Sequence, residues 1–535
     1  QTAPQIDELG ATARDMRYIK GYTAYRNGET TALAGVRILS ADTLAVTIDG
    51  AYLPFFYEAA LLECVPYPIG VIAPGCAVAD NGSGAQIVNA DPSVTEPVFT
   101  ADLLAGTILG EDGYRSHPTV VSGPYVLTGF DGQTATFEIN ENYKGNSKGE
   151  KPQISRLTYT TASNDTMIGD LSAKEFGLLN KVANLDTLME GMQMASGSTE
   201  YTTQSYPRSG MSFISFCCER PTVSSEAVRQ AIAMCLDKDA LVADYVGNFG
   251  LRVDGYYGMG QWMYQLISGS LPYPLEEPEE GDEKAKAQYE EDKKAWEALS
   301  LENVRVYDLD LVEASEELAA DGWTLNRNGE EFTAEDDVRC KEIDGELVAL
   351  DLRLIYPEGN AIGESLQASF ADNLKEVGIN LTLEAVPMQD LLREYYRQNG
   401  ARTMDMIYLA TNFDVVFDPA VTFNPGDRNT VTRQQDQGLY ELAAAMNETQ
   451  PGDTLGYVQK WLAFEEKFNE ALPVIPLYSN VYFDFYTDLL HDYNIAQHAT
   501  WSEAILGAAK VDIPEYEIPM VPAEELAEGE ELIGD

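Results

Sequence analysis

Histidine, cysteine and basic residues are all scarce in this chain. Three histidines, His117, His491 and His498, occur in 535 residues. So small a supply argues against a histidine-rich metal site or a histidine relay. The six cysteines are Cys64, Cys76, Cys217, Cys218, Cys235 and Cys340, with no C-x-x-C pair among them. Zinc and thioredoxin chemistry are therefore unsupported. Lysine and arginine total 35 against 87 acids, a formal net charge of −52. Such a chain lacks the basic footprint that nucleic-acid phosphates require and that docking on anionic lipid uses. No segment approaches the roughly 18–20 consecutive apolar residues of a membrane span. The G-x-S-x-G, H-E-x-x-H, Walker and G-x-G-x-x-G motifs are absent too. His117 precedes Pro118 in a loop and reads as a surface or capping residue. With 87 acids a carboxylate pair can always be chosen, so acids alone say nothing specific about glycoside hydrolysis.

What is present is core-forming material. Hydrophobic residues make up 44% and aromatics 10%, with 30 tyrosines. At roughly 150 residues per domain the length suggests three or four units, or two large lobes. Gln1 has no basic or apolar leader behind it. Either an export signal has been removed or the sequence begins inside a longer protein. Cys64 and Cys76 flank a proline-rich turn and read either as a local disulfide or as two buried thiols, whereas Cys217 and Cys218 read as core.

Periodicity places the elements. Thr31–Ile48 reads as two strands, the second, from Thr43, alternating with period two. Leu53–Leu62 is a helix candidate and Asn81–Gly84 a turn. Asp131-Gly132 signals a hairpin between a strand after Pro124 and Ala135–Asn140. Ile154–Thr160 is a strand and Asn164–Phe176 a helix. Met211–Cys217 is a strand, followed by a helix capped at Ser225 with Val228, Ile232 and Cys235 on one face. Residues 276–297 form a charged, solvated helix or mobile insertion. Leu350–Ile355, a helix over Ser365–Val377 stopped by Gly378, and Ile379–Glu384 make a βαβ unit, hence a parallel or mixed sheet. Within that helix Leu366, Phe370, Leu374 and Val377 share a face. Asp405–Tyr408, Pro473–Tyr478 and Val481–Phe485 are further strands, and the acidic tail after Pro514 reads as loosely held.

Several stretches, in fixed order, resemble family 5 extracellular solute-binding proteins, the peptide-type receptors of ABC importers. They are Ser122-Gly-Pro-Tyr-Val-Leu127, Phe137-Glu-Ile-Asn-Glu-Asn-Tyr143, and Ser224-Ser-Glu-Ala-Val-Arg-Gln-Ala-Ile-Ala233 with Leu236-Asp-Lys-Asp-Ala-Leu241. Ala314–Trp323, Leu374–Ile379 and Pro473-Val-Ile-Pro-Leu-Tyr478 complete the series. Each match is modest; the shared order is specific. Two segments with which the family usually opens are not found, so the chain is expected to lack the start of lobe one.

The resemblance implies an α/β, two-lobed periplasmic-binding-protein-like (type II) fold with a hinge, an interlobe cleft and a small extra domain. Mapped onto this chain, residues 1–112 are the remainder of the small domain. Residues 113–212 with 476–515 are lobe one, 213–475 lobe two and 516–535 an acidic tail. Hinge strands then fall near Ser212–Phe213 and Pro476–Tyr478. The implied activity is capture of small peptides and delivery to ABC permease subunits, with no catalysis, no cofactor and no metal. The implied protein is a monomer, extracellular as a lipoprotein at the cell surface, or periplasmic.

In the family a carboxylate in a segment like D-x8-D-Y-x-D-P-x-x-F holds the ligand α-ammonium. Here that segment is Asp405–Phe423. Counting forward from Asp405 selects Asp414; counting back from Asp418-Pro419 selects Val415. Asp414 is preferred because a buried ammonium needs an opposite charge; the alternative is a solvated loop aspartate. Tyr408, Thr411, Asn412 and Phe413 on the same segment are expected to contact ligand. Tyr478 and Tyr482 either line the cleft or pack within their strand. Arg397 and Arg402 are candidates for a ligand carboxylate or residues of a surface helix. The competing readings are a secreted carboxylate-dependent hydrolase (a glycosidase), or the same fold holding an oligosaccharide or a nickel chelate.

Overall fold

The computed structural model describes residues 3–9, 16–63, 65–279, 282–397, 400–426, 430–496 and 499–510. The tail expected after Pro514, and Cys64 of the disulfide reading, lie outside the described residues; Cys76 is a buried free thiol. The chain forms two compact units. The first runs to Val120 and resumes over Ala183–Leu185 and Tyr206–Tyr482. The second is Val121–Val182, Asp186–Ser205 and the chain from Phe483 onward.

The first unit is organised around a mixed sheet. Its strands are β1 (Gly210–Phe216), β2 (Gly250–Arg252), β3 (Asp351–Pro357), β4 (Asn380–Val386), β5 (Met406–Asn412) and β6 (Val474–Thr487), in the order β2-β6-β1-β5-β3-β4. The βαβ expectation is met by β3 and β4, which pair in parallel from Asp351↔Asn380 to Pro357↔Val386. β5 also joins β3 in parallel. β1 runs antiparallel to β5 and β6. Every residue of β1 is buried, as its near-continuous apolar sequence requires of a strand covered on both sides. Ile214 and Phe216 pack with Val228, Ile232, Phe370 and Leu374. Met211, Phe213 and Cys217 pack with Tyr457, Trp461, Phe464 and Phe468.

Several expectations are refined. The two late strands are one, β6, of 14 residues, with Tyr482 in the first unit and Phe483 in the second. Pro476 brings no N–H to it, and the pairing register with β1 shifts between Ser212 and Phe213, where Pro476 is accommodated. The first unit takes in residues 206–212 and 476–482, where β5 pairs with Gly210–Ser212 and β2 with Tyr478–Asn480. Leu53–Leu62 forms only a short 3-10 turn at Glu58–Leu62. The preceding aromatics pack elsewhere: Phe56 stacks on Tyr457 at 4.2 Å, and its N–H donates to the Asn447 carbonyl at 2.8 Å. Ser225 does stand before the helix Glu226–Ala233, but its hydroxyl caps nothing and donates to Asp321 Oδ1 at 2.9 Å. The expected helix over Ser365–Val377 is broken by a π-helical turn at Leu366–Phe370. Its predicted inner face is nevertheless fully buried, and Gly378 ends it at φ +84.

Outside this sheet the first unit carries short hairpins, among them Cys340–Ile343 with Glu346–Ala349. Val36–Ile38 pairs with Leu44–Val46, and Cys76–Asp80 with Ala85–Asn89. In the last of these Asn81 Oδ1 accepts the N–H groups of Ser83 and Gly84, which makes the expected turn.

The second unit holds a three-stranded antiparallel meander, Tyr125–Phe130, Thr134–Ile139 and Arg156–Thr160. Asp131 Oδ1 accepts the N–H groups of Gln133 and Thr134 and closes its first turn. Leu178–Val182 pairs with the end of β6. There Asp484, fully buried, accepts from Asn180 Nδ2 (2.9 Å), the Lys181 N–H (2.8 Å) and the Tyr493 hydroxyl (2.6 Å).

One buried acid in the first unit has a measurable consequence. Glu465, on the helix Thr454–Ala471, is fully buried among aromatic rings and accepts the Tyr256 N–H at 2.5 Å. Burial pushes its carboxyl up to about 8, opposed by the hydrogen bond from the Tyr256 N–H. The folded state then keeps a proton that the unfolded chain releases above its ordinary carboxyl range. Stability contributed by this group is full at acid pH and is lost as pH rises toward 8. Chemical denaturation at pH 5, 6.5 and 8 should show a loss of up to about 1.4 kcal/mol per pH unit from this group. Glu465→Gln should flatten that slope; an unchanged slope would place the pH dependence elsewhere.

Candidate ligand-binding site

The Asp405–Phe423 segment changes character residue by residue as it leaves the sheet. Met406–Leu409 is buried; Ala410 and Asn412 are exposed and Thr411 half-buried. Phe413 turns back inward. Its ring lies 4.8 Å from Tyr256 and 5.2 Å from Phe417, and its N–H donates to the Ser209 carbonyl at 3.2 Å. Phe417 is buried, so aromatic anchors hold both ends of a short bridge. On that bridge Asp414 and Val415 face solvent.

The three aspartates of the segment have separate fates. Asp405 is buried and accepts from the Thr222 hydroxyl, from Arg220 Nε at 3.3 Å and from the Arg353 N–H at 2.9 Å. Asp418 accepts Asn447 Nδ2 at 2.7 Å, and burial pushes its carboxyl above the usual range. Asp414 is exposed and, among the described residues, has no hydrogen-bond or ion-pair partner. It is the carboxylate of this segment left open to an external cation. Arg402 is not a surface residue: it is buried and grips the Glu219 carboxylate through Nε and Nη2, both at 2.6 Å. Arg397 is occupied by Glu394, at 2.8 Å from Nε.

Tyr408 and Tyr478 are core residues, 3% and 4% exposed. Their hydroxyls meet at 3.1 Å where β5 and β6 flank β1. Burial pushes the Tyr408 hydroxyl up to about 12. Tyr482, further along β6, is half-buried, and its hydroxyl donates to Asn412 Oδ1 at 3.2 Å. Thus Thr411, Asn412, Phe413, Asp414 and Tyr482 share one region where the end of β5 lies near the middle of β6, and Tyr408 and Tyr478 lie in the core of the same sheet.

Arg208, which the sequence reading passed over, organises that region. It is 6% exposed. Nε donates to Asn412 Oδ1 (2.9 Å), Nη1 to Asn480 Oδ1 (3.2 Å) and Ser212 Oγ (3.4 Å), and Nη2 to the carbonyls of Thr411 (2.7 Å) and Met211 (3.2 Å). The Tyr482 ring centroid is 5.6 Å away. The available signal was an arginine two residues before an apolar strand, in Pro207-Arg208-Ser209-Gly210. Among the described residues no three histidine, cysteine or acidic side chains form a metal site, and no helix is long and apolar enough to cross a membrane.

The mixed sheet, with its parallel βαβ unit and an arginine-braced strand end, places the chain in the α/β class. Bacterial extracellular solute-binding proteins, family 5 (the middle region), match residues 17–433, and the chain belongs to this family. Lactococcal OppA, solved with an endogenous peptide in the closed conformation, is similar at a TM-score of 0.68 and 14% identity, over 94% of this chain and 82% of that one. The oligopeptide-binding protein of Thermus thermophilus, solved with a pentapeptide, reaches 0.63 at 16% identity, over 89% and 77%. NikZ from Campylobacter jejuni, solved with Ni(L-His), reaches 0.55 at 12% identity, over 83% and 80%. At such identities the likeness is one of fold. A comparison with curated sequences finds no significant match.

The tyrosine pair gives a direct test of the site's scaffold. Tyr408→Phe or Tyr478→Phe should each cost about 1 kcal/mol of stability, because the partner loses a buried hydrogen bond. The double variant should cost less than the sum. Urea denaturation of the three variants reads this; strict additivity would mean the two hydroxyls do not interact.

Proposed function

We propose that the protein is the substrate-binding component of an ABC importer, which captures short peptides outside the membrane and hands them to permease subunits. The observation that carries this is Asp414, an exposed carboxylate without a partner among the described residues, held between the Phe413 and Phe417 anchors. Of the two counts along the family segment, the one forward from Asp405 puts the ligand-ammonium contact at this residue, and the one back from Asp418-Pro419 puts it at Val415. The α-ammonium of a peptide would be held there by charge-assisted hydrogen bonds. Thr411, Asn412, Phe413 and Tyr482 would contact the first residues of the ligand. Tyr408 and Tyr478 would support that face from within the core. The peptide ligands of the lactococcal and Thermus proteins support peptide as the ligand class. In this reading the protein works as a monomer, without catalysis, at the cell surface as a lipoprotein or in a periplasm.

Thermal-shift assays can separate the ligand classes. A mixed peptide library should raise the melting temperature, while oligosaccharides and nickel–histidine should not. A shift with either of the latter and none with peptides sinks the peptide reading; turnover of an oligosaccharide would favour a hydrolase. For a peptide that binds, Asp414→Ala should weaken affinity at least about tenfold, or about 1.4 kcal/mol. Acetylating the peptide's α-amine should cost the wild type a similar factor. If acetylation makes no difference, Asp414 is not the ammonium site.

A further inference from the structure

Arg208 is a buried cation without a carboxylate partner: among the described residues it makes no ion pair, although it is 6% exposed. A buried charge is ordinarily paired. Here neutral oxygens do the work. A guanidinium has five N–H donors in a fixed fork, and Arg208 directs its fork to five oxygens drawn from β1, β5 and β6. The Tyr482 ring adds a π face at 5.6 Å. A lysine, with three donors on a compact head, cannot reach the same set.

The consequence falls on Asn412. Its Oδ1 accepts from two donors, Arg208 Nε at 2.9 Å and the Tyr482 hydroxyl at 3.2 Å. An amide side chain has one acceptor end and one donor end, and its orientation follows from the partners that hold it. With Oδ1 held inward, Nδ2 is the outer end of an exposed side chain two residues from Asp414. We infer that Arg208 is a positioning residue that, together with Tyr482, fixes the Asn412 amide so that its Nδ2 donates to an acceptor on the ligand, such as a peptide carbonyl. This rests on the reading that ligand occupies the Thr411–Asp414 region, and it adds a hydrogen-bond donor beside the Asp414 carboxylate.

Asn412→Asp is the discriminating variant. It keeps an oxygen for Arg208 and Tyr482 and gives Arg208 a counter-charge, so the melting temperature should hold or rise. It removes the donor, so affinity for the ligand found in the screen should fall about tenfold, the usual worth of one such hydrogen bond. A purely structural Arg208–Asn412 contact predicts no loss. Arg208→Lys should weaken binding similarly, and in the Asn412→Asp background it should weaken it no further. Asn412→Asp binding as wild type, or full rescue of binding by Arg208→Lys, overturns the inference. The peptide reading fails separately, in the ligand class the wild type selects, and the variants are then measured with whatever ligand it does bind. Amide hydrogen exchange needs no ligand at all: Arg208→Lys should accelerate exchange over Thr411–Asp414 and Asn412→Asp should not. Equal protection in wild type and Arg208→Lys would also overturn it.

Discussion

The close approach of β1 to β5 is the constraint on which the candidate site depends. A side chain added at Gly210 would bring its Cβ to 1.8 Å from the Thr411 carbonyl oxygen, so only glycine lets the two backbones meet there. That contact sets Gly210 opposite Asn412. It also lets Ser209, one residue earlier, accept the Phe413 N–H. The exit of β5 from the core, and so the place of Asp414, follows from backbone pairing. The side chains then refine it: Arg208 braces the end of β5, and the Phe413–Phe417 pair anchors the bridge that follows.

The elements of the fold were legible wherever burial leaves a periodic trace. β1 reads as a strand because both its faces are covered, and the Val228–Ile232 and Leu366–Leu374 faces because helix spacing brings them to one side. The βαβ unit follows from the strand, helix, strand order, with Gly378 ending the helix in a left-handed turn. What could not be read is how side chains combine across long separations. Leu53–Leu62 has a helical composition, yet its aromatics belong to a cluster built around Tyr457, near the far end of the chain, and tertiary packing overrides local preference. Pro476 divides the late apolar run on paper, whereas a register shift absorbs it in the sheet.

The site was legible in part for the same reason. A residue type announces what chemistry it can do and not whether that capacity is already spent. Asp405, Asp414 and Asp418 are equivalent in sequence; burial and hydrogen bonding use up the first and third. Arg402 looked available and is bound to Glu219. Arg208 looked incidental, because its partners are carbonyls and amides on three strands, none of which carries a sequence signature. Even its lack of a carboxylate partner becomes informative only once its burial is known.

The helix Glu283–Glu297 has a consequence of a different kind. Most of its fifteen positions are charged, and its one fully buried side chain is Trp296, stacked on Tyr273 at 5.3 Å. A segment with a single buried side chain, near its end, can change sequence over evolution with little cost to the core. The same property makes it the natural place to graft a reporter or an affinity handle, at a distance along the chain from every residue that the binding region requires.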